Sequence, residues 1–214
     1  AERMWDDPRT RQAVQIFFAQ YLNLSRLNDV QRDSKEYPNF DDALVQSMKN
    51  EVKLLVGDLV FERNADIRKL LTTRKTFVNE DLADHYDIQA PGATSYAYVP
   101  VTFPKDGHRA GILTLGAFLT MNAHPTDTSP TLRGKYLRER IFCQKVPDPP
   151  PNLDIELDED EVGEDATLRE KLKAHREDPQ CRSCHKFTDP PGFLFQNFDN
   201  VGRYREKLDN GEPV

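Results

Sequence analysis

One stretch divides the chain. Residues 147–165 read PDPPPNLDIELDEDEVGED. The prolines fix φ and remove backbone donors, and the carboxylates that follow repel one another, so no packed helix or central strand runs through it. The chain is therefore expected to fold as parts joined by a Pro-rich and acidic linker over 147–166. A solvated connector is its plain reading; a cation site or a dock for a basic partner is the alternative.

The 214 residues, 37% hydrophobic and 30% charged, suffice for one sizeable core or two small ones. The longest apolar runs, such as 111–121, fall short of the roughly 20 residues needed to cross a bilayer, so no membrane span is expected. A formal charge of −7 argues against nucleic acid as a partner, since phosphate binding rests on clustered Lys and Arg. The opening AERMWDDP has neither a basic n-region nor an apolar h-region. Any secretion signal is thus expected to lie outside this sequence or to have been removed.

Up to the linker the periodicity is mainly helical. Asp7-Pro8 places a cap ahead of a proline at the first helical position, and Val14, Phe17, Phe18, Tyr21 and Leu22 follow at helical spacing. Asp41 or Asp42 caps a longer helix with the stripe Leu44, Val45, Met48, Val52, Leu55, Val56, Leu59 and Val60. A third begins near Asp66, and Asn79 with Glu80 and Asp81 opens a short one reaching Tyr86. Tyr96 to Phe103 reads as extended and ends in the turn Pro104-Lys105-Asp106-Gly107. Helix and strand are both compatible with 112–121, and Ser129-Pro130 starts a further helix to about Phe142. Beyond the linker, Thr167 and Glu170 match a capping box, and Asp178-Pro179 restarts a helical turn.

That turn carries Cys181-Arg182-Ser183-Cys184-His185. Cys-x-x-Cys-His is the attachment sequence of c-type haem, in which two thiols add to the porphyrin vinyl groups and the imidazole ligates the iron. On a helix, positions i, i+3 and i+4 project from one face, which brings the three groups together. Zinc requires about four ligands, and only Cys143 and His175 remain nearby in sequence to complete such a set. A thioredoxin-type dithiol normally sits in a βαβ setting, which this segment lacks. A purely structural cysteine pair is the remaining alternative.

Several stretches strengthen the haem reading: TFVNEDLADHYDI at 76–88, RAGILTLGAFLTMNAHPTDTSPTLRGKYLRERIFCQKVPDPPPN at 109–152, and LREKLKAHREDPQCRSCHKFTDPPGFLFQNFDNVGRYR at 168–205. In this order they resemble a family of secreted bacterial proteins built from successive domains of unknown function, the last of which bears a cytochrome-c-like motif. The resemblance implies a periplasmic or extracellular protein with one covalent haem c. It implies no reaction. Relatives commonly carry methionine at the third position after the motif histidine, where Thr188 stands here. The family pattern also continues past GEPV, so further domains of the same polypeptide are expected.

The expected architecture is mainly α: a helical domain over 1–90, a middle segment with an extended stretch and a helix over 91–146, the linker over 147–166, and a small cytochrome-c-like haem module over 167–214. Cys181 and Cys184 are the thioether anchors and His185 the proximal ligand. The sixth iron ligand must be a His or Met, or absent, and His175, His124 and Met121 are the candidates. Arg203 and Arg205 are candidate contacts for the haem propionates, as paired donors. Phe187, Phe193, Phe195 and Phe198 are expected to wall an apolar pocket, and Cys143 to be a buried small hydrophobe. The expected function is one-electron transfer to a redox partner protein or other haem domains. Two alternatives are a haem enzyme whose open distal site takes peroxide or another small oxidant, and a binding or scaffold protein with an auxiliary haem domain.

Overall fold

Four of the helix starts carry the expected side-chain cap. The Asp7 carboxylate accepts from the Arg9 backbone N–H ahead of helix α2, Pro8–Tyr21, which follows the single-turn α1, Glu2–Trp5. Asp41 accepts from Leu44 N at 2.8 Å and opens α3, Asp42–Gly57. Asn79 accepts from Leu82 N at 3.1 Å at the head of α4, Glu80–Tyr86, and Ser129 accepts from Leu132 N at 3.2 Å at the head of α6, Pro130–Tyr136. Each side chain satisfies one of the backbone donors that a helix start leaves without an intrahelical acceptor.

The computed structural model describes residues 2–147, 168–175, 179–208, 211 and 213–214, and the chain is predominantly helical with a two-stranded sheet. It forms two compact units, one of Ala1–Thr128 with Asn197–Val214 and one of Ser129–Gln196. Residues 197–214, which the sequence groups with the motif, fold with the first unit. Three consecutive carbonyls hold them there: Asn200 O accepts from Arg32, Val201 O from His85 and Gly202 O from Arg109. The linker over 147–166, apart from Pro147, and the cap at Thr167 lie outside the described residues.

In the first unit the apolar stripe of α3 is the core. Leu44, Val45, Met48, Val52, Leu55, Val56 and Leu59 are all buried, while Val60 is half-exposed. Burying such side chains stabilises by roughly 1.5–3 kcal/mol each. The helix leaves its regular path in a π-helical turn, Asp58–Glu62. The element expected from Asp66 is a short 3-10 helix, Ile67–Leu71, capped by the Asp66 carboxylate. Strands β1, Lys75–Val78, and β2, Val99–Thr102, pair antiparallel with Phe77 opposite Pro100. Pro100 lacks a donor, which a two-stranded sheet tolerates because both its strands are edges. The 112–121 stretch resolves as a 3-10 turn, Ile112–Thr114, followed by α5, Gly116–Met121, every residue of which is buried. Helix α2 forms where expected, yet none of its residues is fully buried, and Ile16 and Phe17 are exposed.

Asn79 does more than cap. Fully buried, it also donates to the Ser47 hydroxyl, the Asp81 carboxylate and the Ser95 carbonyl. Asn79→Ala should therefore destabilise the first unit by ~2 kcal/mol, because it removes a cap together with the buried amide's bonds to Ser47, Asp81 and Ser95. Asp7→Ala, at an exposed cap, should cost ~0.5 kcal/mol. Urea denaturation of the two variants checks the ratio, and equal losses would show that the buried side-chain bonds contribute nothing beyond the cap.

In the second unit α6 runs into a π-helical turn, Leu137–Ile141, and is followed by α7, Leu168–His175, and α8, Pro179–Phe193. Helices α6 and α8 meet backbone to backbone through two glycines. A Cβ on Gly134 would overlap the Thr188 carbonyl, and one on Gly192 would overlap the Pro130 carbonyl. Pro190 and Pro191 lie within α8. A proline at 191 cannot donate to the carbonyl four residues back, and that carbonyl, Phe187 O, instead accepts from the Arg138 guanidinium at 2.6 Å.

Candidate functional site

The restart expected at Asp178-Pro179 is a full helix, α8, that carries Cys181, Cys184 and His185 in its first half. Helical spacing at i, i+3 and i+4 places all three on one face. Neither cysteine is in a disulfide; Cys181 is buried and Cys184 is half-exposed, with its Sγ 3.9 Å from the Pro147 carbonyl oxygen. The His185 ring is fixed from one side: Nδ1 lies 3.1 Å from each carboxylate oxygen of Asp189, one turn further along α8. An ionised carboxylate only accepts, so Nδ1 carries the proton and donates it, which assigns the tautomer.

Asp189 is itself fully buried, and its charge is met by hydroxyls. Thr131 on α6 donates to Oδ1 at 2.8 Å, and the Thr188 hydroxyl lies 3.2 Å from the same oxygen. Thr188 is buried and also lies 3.4 Å from the Cys184 carbonyl. It is thus part of the support for Asp189. Neither Asp189 nor Thr131 was singled out from the sequence. The spacing from His185 to Asp189 was visible there, but Thr131 is 58 residues away and no local pattern couples it to the motif.

The other candidates sit as follows. His175 ends α7, and its side chain lies outside the described residues. Met121, His124, Arg203 and Arg205 belong to the first unit. Met121 is 4% exposed at the end of α5 and borders a cavity of about 310 Å³ with Arg26 and Arg32, whereas His124 is exposed in a loop. Arg203 pairs with Asp199 at 3.1 Å and lies over the Tyr37 ring; Arg205 donates its backbone N–H to the Asn197 carbonyl. Within the second unit the arginines placed against aromatic or carbonyl groups are different ones. Arg133 is buried and donates to Phe195 O at 2.7 Å, Arg138 covers the Phe187 ring, and Arg169 covers Phe193. Of the four phenylalanines expected to form one wall, Phe195 is buried and Phe187 exposed, while Phe198 belongs to the first unit and lies under Arg109. Cys143, expected to be buried, is exposed, in a left-handed conformation with φ 53°.

The first unit holds a buried polar cluster that the sequence did not reveal. Glu51 accepts from the Thr76 hydroxyl at 2.6 Å and from the Tyr86 hydroxyl at 2.7 Å, and the Tyr86 oxygen accepts from Gly116 N at 2.8 Å. Arg109 lies over the Tyr86 ring and donates to the Thr114 and Gly202 carbonyls. Burial pushes the Glu51 carboxyl up to about 7, against the lowering effect of its two hydroxyl donors and of Arg109. It pushes His85, whose Nε2 donates to Val201 O at 2.8 Å, down to about 4. The signal is unreadable from spacing, because Glu51, Tyr86 and Arg109 come from three separate elements.

Among the described residues no group of three or more His, Cys, Asp or Glu is arranged to hold a metal ion, and no helix is long and apolar enough to cross a membrane. No curated protein and no solved structure matches the chain. Two family models do, each over one part. The model PSD4, described as a protein of unknown function (DUF1592), matches residues 1–88. The model PSCyt3, described as a protein of unknown function (DUF1588), matches residues 109–208 and so runs from the first unit through the second and back. In sequence order, the chain is similar to one domain of unknown function followed by another.

Proposed function

We propose that this chain is an exported c-type cytochrome that carries electrons through one covalent haem c, bound by Cys181 and Cys184 with His185 as proximal iron ligand. The observation that carries the reading is the donor set on α8: two thiols outside any disulfide and an imidazole on one helical face, the imidazole held in a single tautomer by a buried carboxylate. The name of the PSCyt3 model, which hints at cytochrome-like domains, agrees with it.

A haem attached there supplies a one-electron couple. The chain's own part is to hold and orient. Cys181 and Cys184 anchor the group against loss after export, His185 presents Nε2 because Nδ1 is engaged by Asp189, and burial of Asp189 keeps water from competing for that bond. Arg133, Arg138 and Arg169 join Arg203 and Arg205 as candidate donors to the propionates. Recruiting Met121 as the sixth ligand would cost packing, because it is buried in the first unit. A periplasmic or extracellular location follows from the chemistry, since haem c is attached after export, and the expected partners are a redox protein or other haem domains.

The test is direct. Expressed with a haem-attachment system and exported, the protein should keep haem through denaturing electrophoresis, and Cys181→Ala or Cys184→Ala should abolish or sharply reduce the stained band. Complete extraction of haem into acidified organic solvent, or wild-type protein without haem, sinks the reading.

A further inference from the structure

We infer that Asp189 is the positioning residue for His185, and that the hydroxyl of Thr131 sets how strongly it acts. The inference deepens the haem reading of the same site and rests on it. Asp189 is fully buried, its two oxygens lie 3.1 Å from Nδ1 of His185, and the Thr131 hydroxyl donates to Oδ1 at 2.8 Å. A carboxylate draws the Nδ1 proton toward itself more strongly than a carbonyl or a water does, which raises the electron density of the ring and its donor strength at Nε2. A stronger donor favours the more positive, oxidised iron, so Asp189 lowers the reduction potential of the bound haem. Thr131 opposes this. Its donated hydrogen bond takes up part of the carboxylate's charge on the same oxygen that faces His185.

The two residues therefore have opposite signs. Redox titration of the haem-loaded full chain is the experiment, with Asp189→Asn and Thr131→Val as the variants. Asp189→Asn keeps the shape and replaces the carboxylate with a weaker, neutral acceptor. It should favour the reduced state about tenfold, which is ~59 mV for one electron. Thr131→Val removes a donor without changing the side chain's outline, and should favour the oxidised state by a smaller factor. A purely structural role for Asp189 would move both variants in one direction or neither. If both load haem and their potentials match the wild type, or shift with the same sign, the inference fails while the haem reading stands. If the wild type binds no haem, both fail together. Should Asp189→Asn not fold, the sign of the Thr131→Val shift decides alone, and an upward or absent shift overturns the inference.

Discussion

Gly134→Ala should destabilise the second unit by ~3 kcal/mol or more, and Gly192→Ala should do so by a similar amount. The loss is steric: at each position the added methyl meets a backbone carbonyl of the facing helix, Thr188 O of α8 for Gly134 and Pro130 O of α6 for Gly192, and a carbonyl inside a helix cannot swing aside as a side chain does. The helices must move apart, and the bond from Thr131 on α6 to Asp189 on α8 stretches with them. The double variant should cost much less than the sum of the two, because the first methyl already opens the contact that the second needs. Gly57→Ala provides the contrast. Gly57 is at the end of α3 with ordinary helical angles, and its nearest neighbours are the flexible tips of Arg11 and Gln15 at 3.3 and 3.4 Å. There alanine should stabilise by up to ~1 kcal/mol through helix propensity. Denaturant titration of the four variants checks the series, and a loss under ~1 kcal/mol for Gly134→Ala would show that the two backbones have room to separate.

Stability of the first unit should respond to pH through two groups that oppose each other. Glu51 titrates near 7 in the fold against 4.5 for a free carboxyl, so its contribution is fully present below pH 4.5 and is lost as pH rises through about 7. His85 titrates near 4 against 6.5, so its contribution is present above pH 6.5 and is lost as pH falls through about 4. Between these limits the wild type gains from one what it loses from the other. Glu51→Gln unmasks the histidine: relative to wild type, its stability should climb with pH by about 1.4 kcal/mol per unit, or ~3 kcal/mol from 4.5 to 7. His85→Gln should show the reverse, improving relative to wild type as pH falls from 6.5 to 4. Any fixed cost of either substitution displaces the curve without changing its slope. Chemical denaturation across pH 4 to 7.5 reads both, and parallel curves for Glu51→Gln and the wild type would mean that Glu51 stays ionised in the fold.

What the sequence disclosed was local. The caps at Asp7, Asp41, Asn79 and Ser129 depend on residues within three positions of one another, and all four form. The stripe of α3 has a period that a window of sixteen residues contains. Strand β1 escaped notice because KTFV is too short to show an alternation, and its existence depends on β2, more than twenty residues away. Helix α2 was legible as a helix, but periodicity says only that one face is apolar, not that anything covers it. In the candidate site, Cys181, Cys184 and His185 declare themselves by spacing. Asp189 becomes meaningful only once burial and the Thr131 hydroxyl are known, and the partnership of Glu51 with Tyr86 and Arg109 has no sequence signature at all. Prolines such as 190 and 191 ordinarily end a helix; here Arg138, from another element, supplies the donor that Pro191 lacks.

The chain leaves the first unit at Thr128 and returns to it at Asn197, and that order has a consequence for birth on the ribosome. At translation rates of about 5–20 residues per second, the intervening stretch occupies the ribosome for roughly 3–14 s. During that interval Arg32, His85 and Arg109 have been made while the carbonyls of Asn200, Val201 and Gly202 that receive them have not. The nascent first unit waits, with three cationic or polar side chains each short of one acceptor, until residues 200–202 are made. Ribosome stalling or premature termination between 129 and 196 would thus injure the part of the protein already synthesised, and a nonsense mutation there would be felt as a folding defect in residues 1–128.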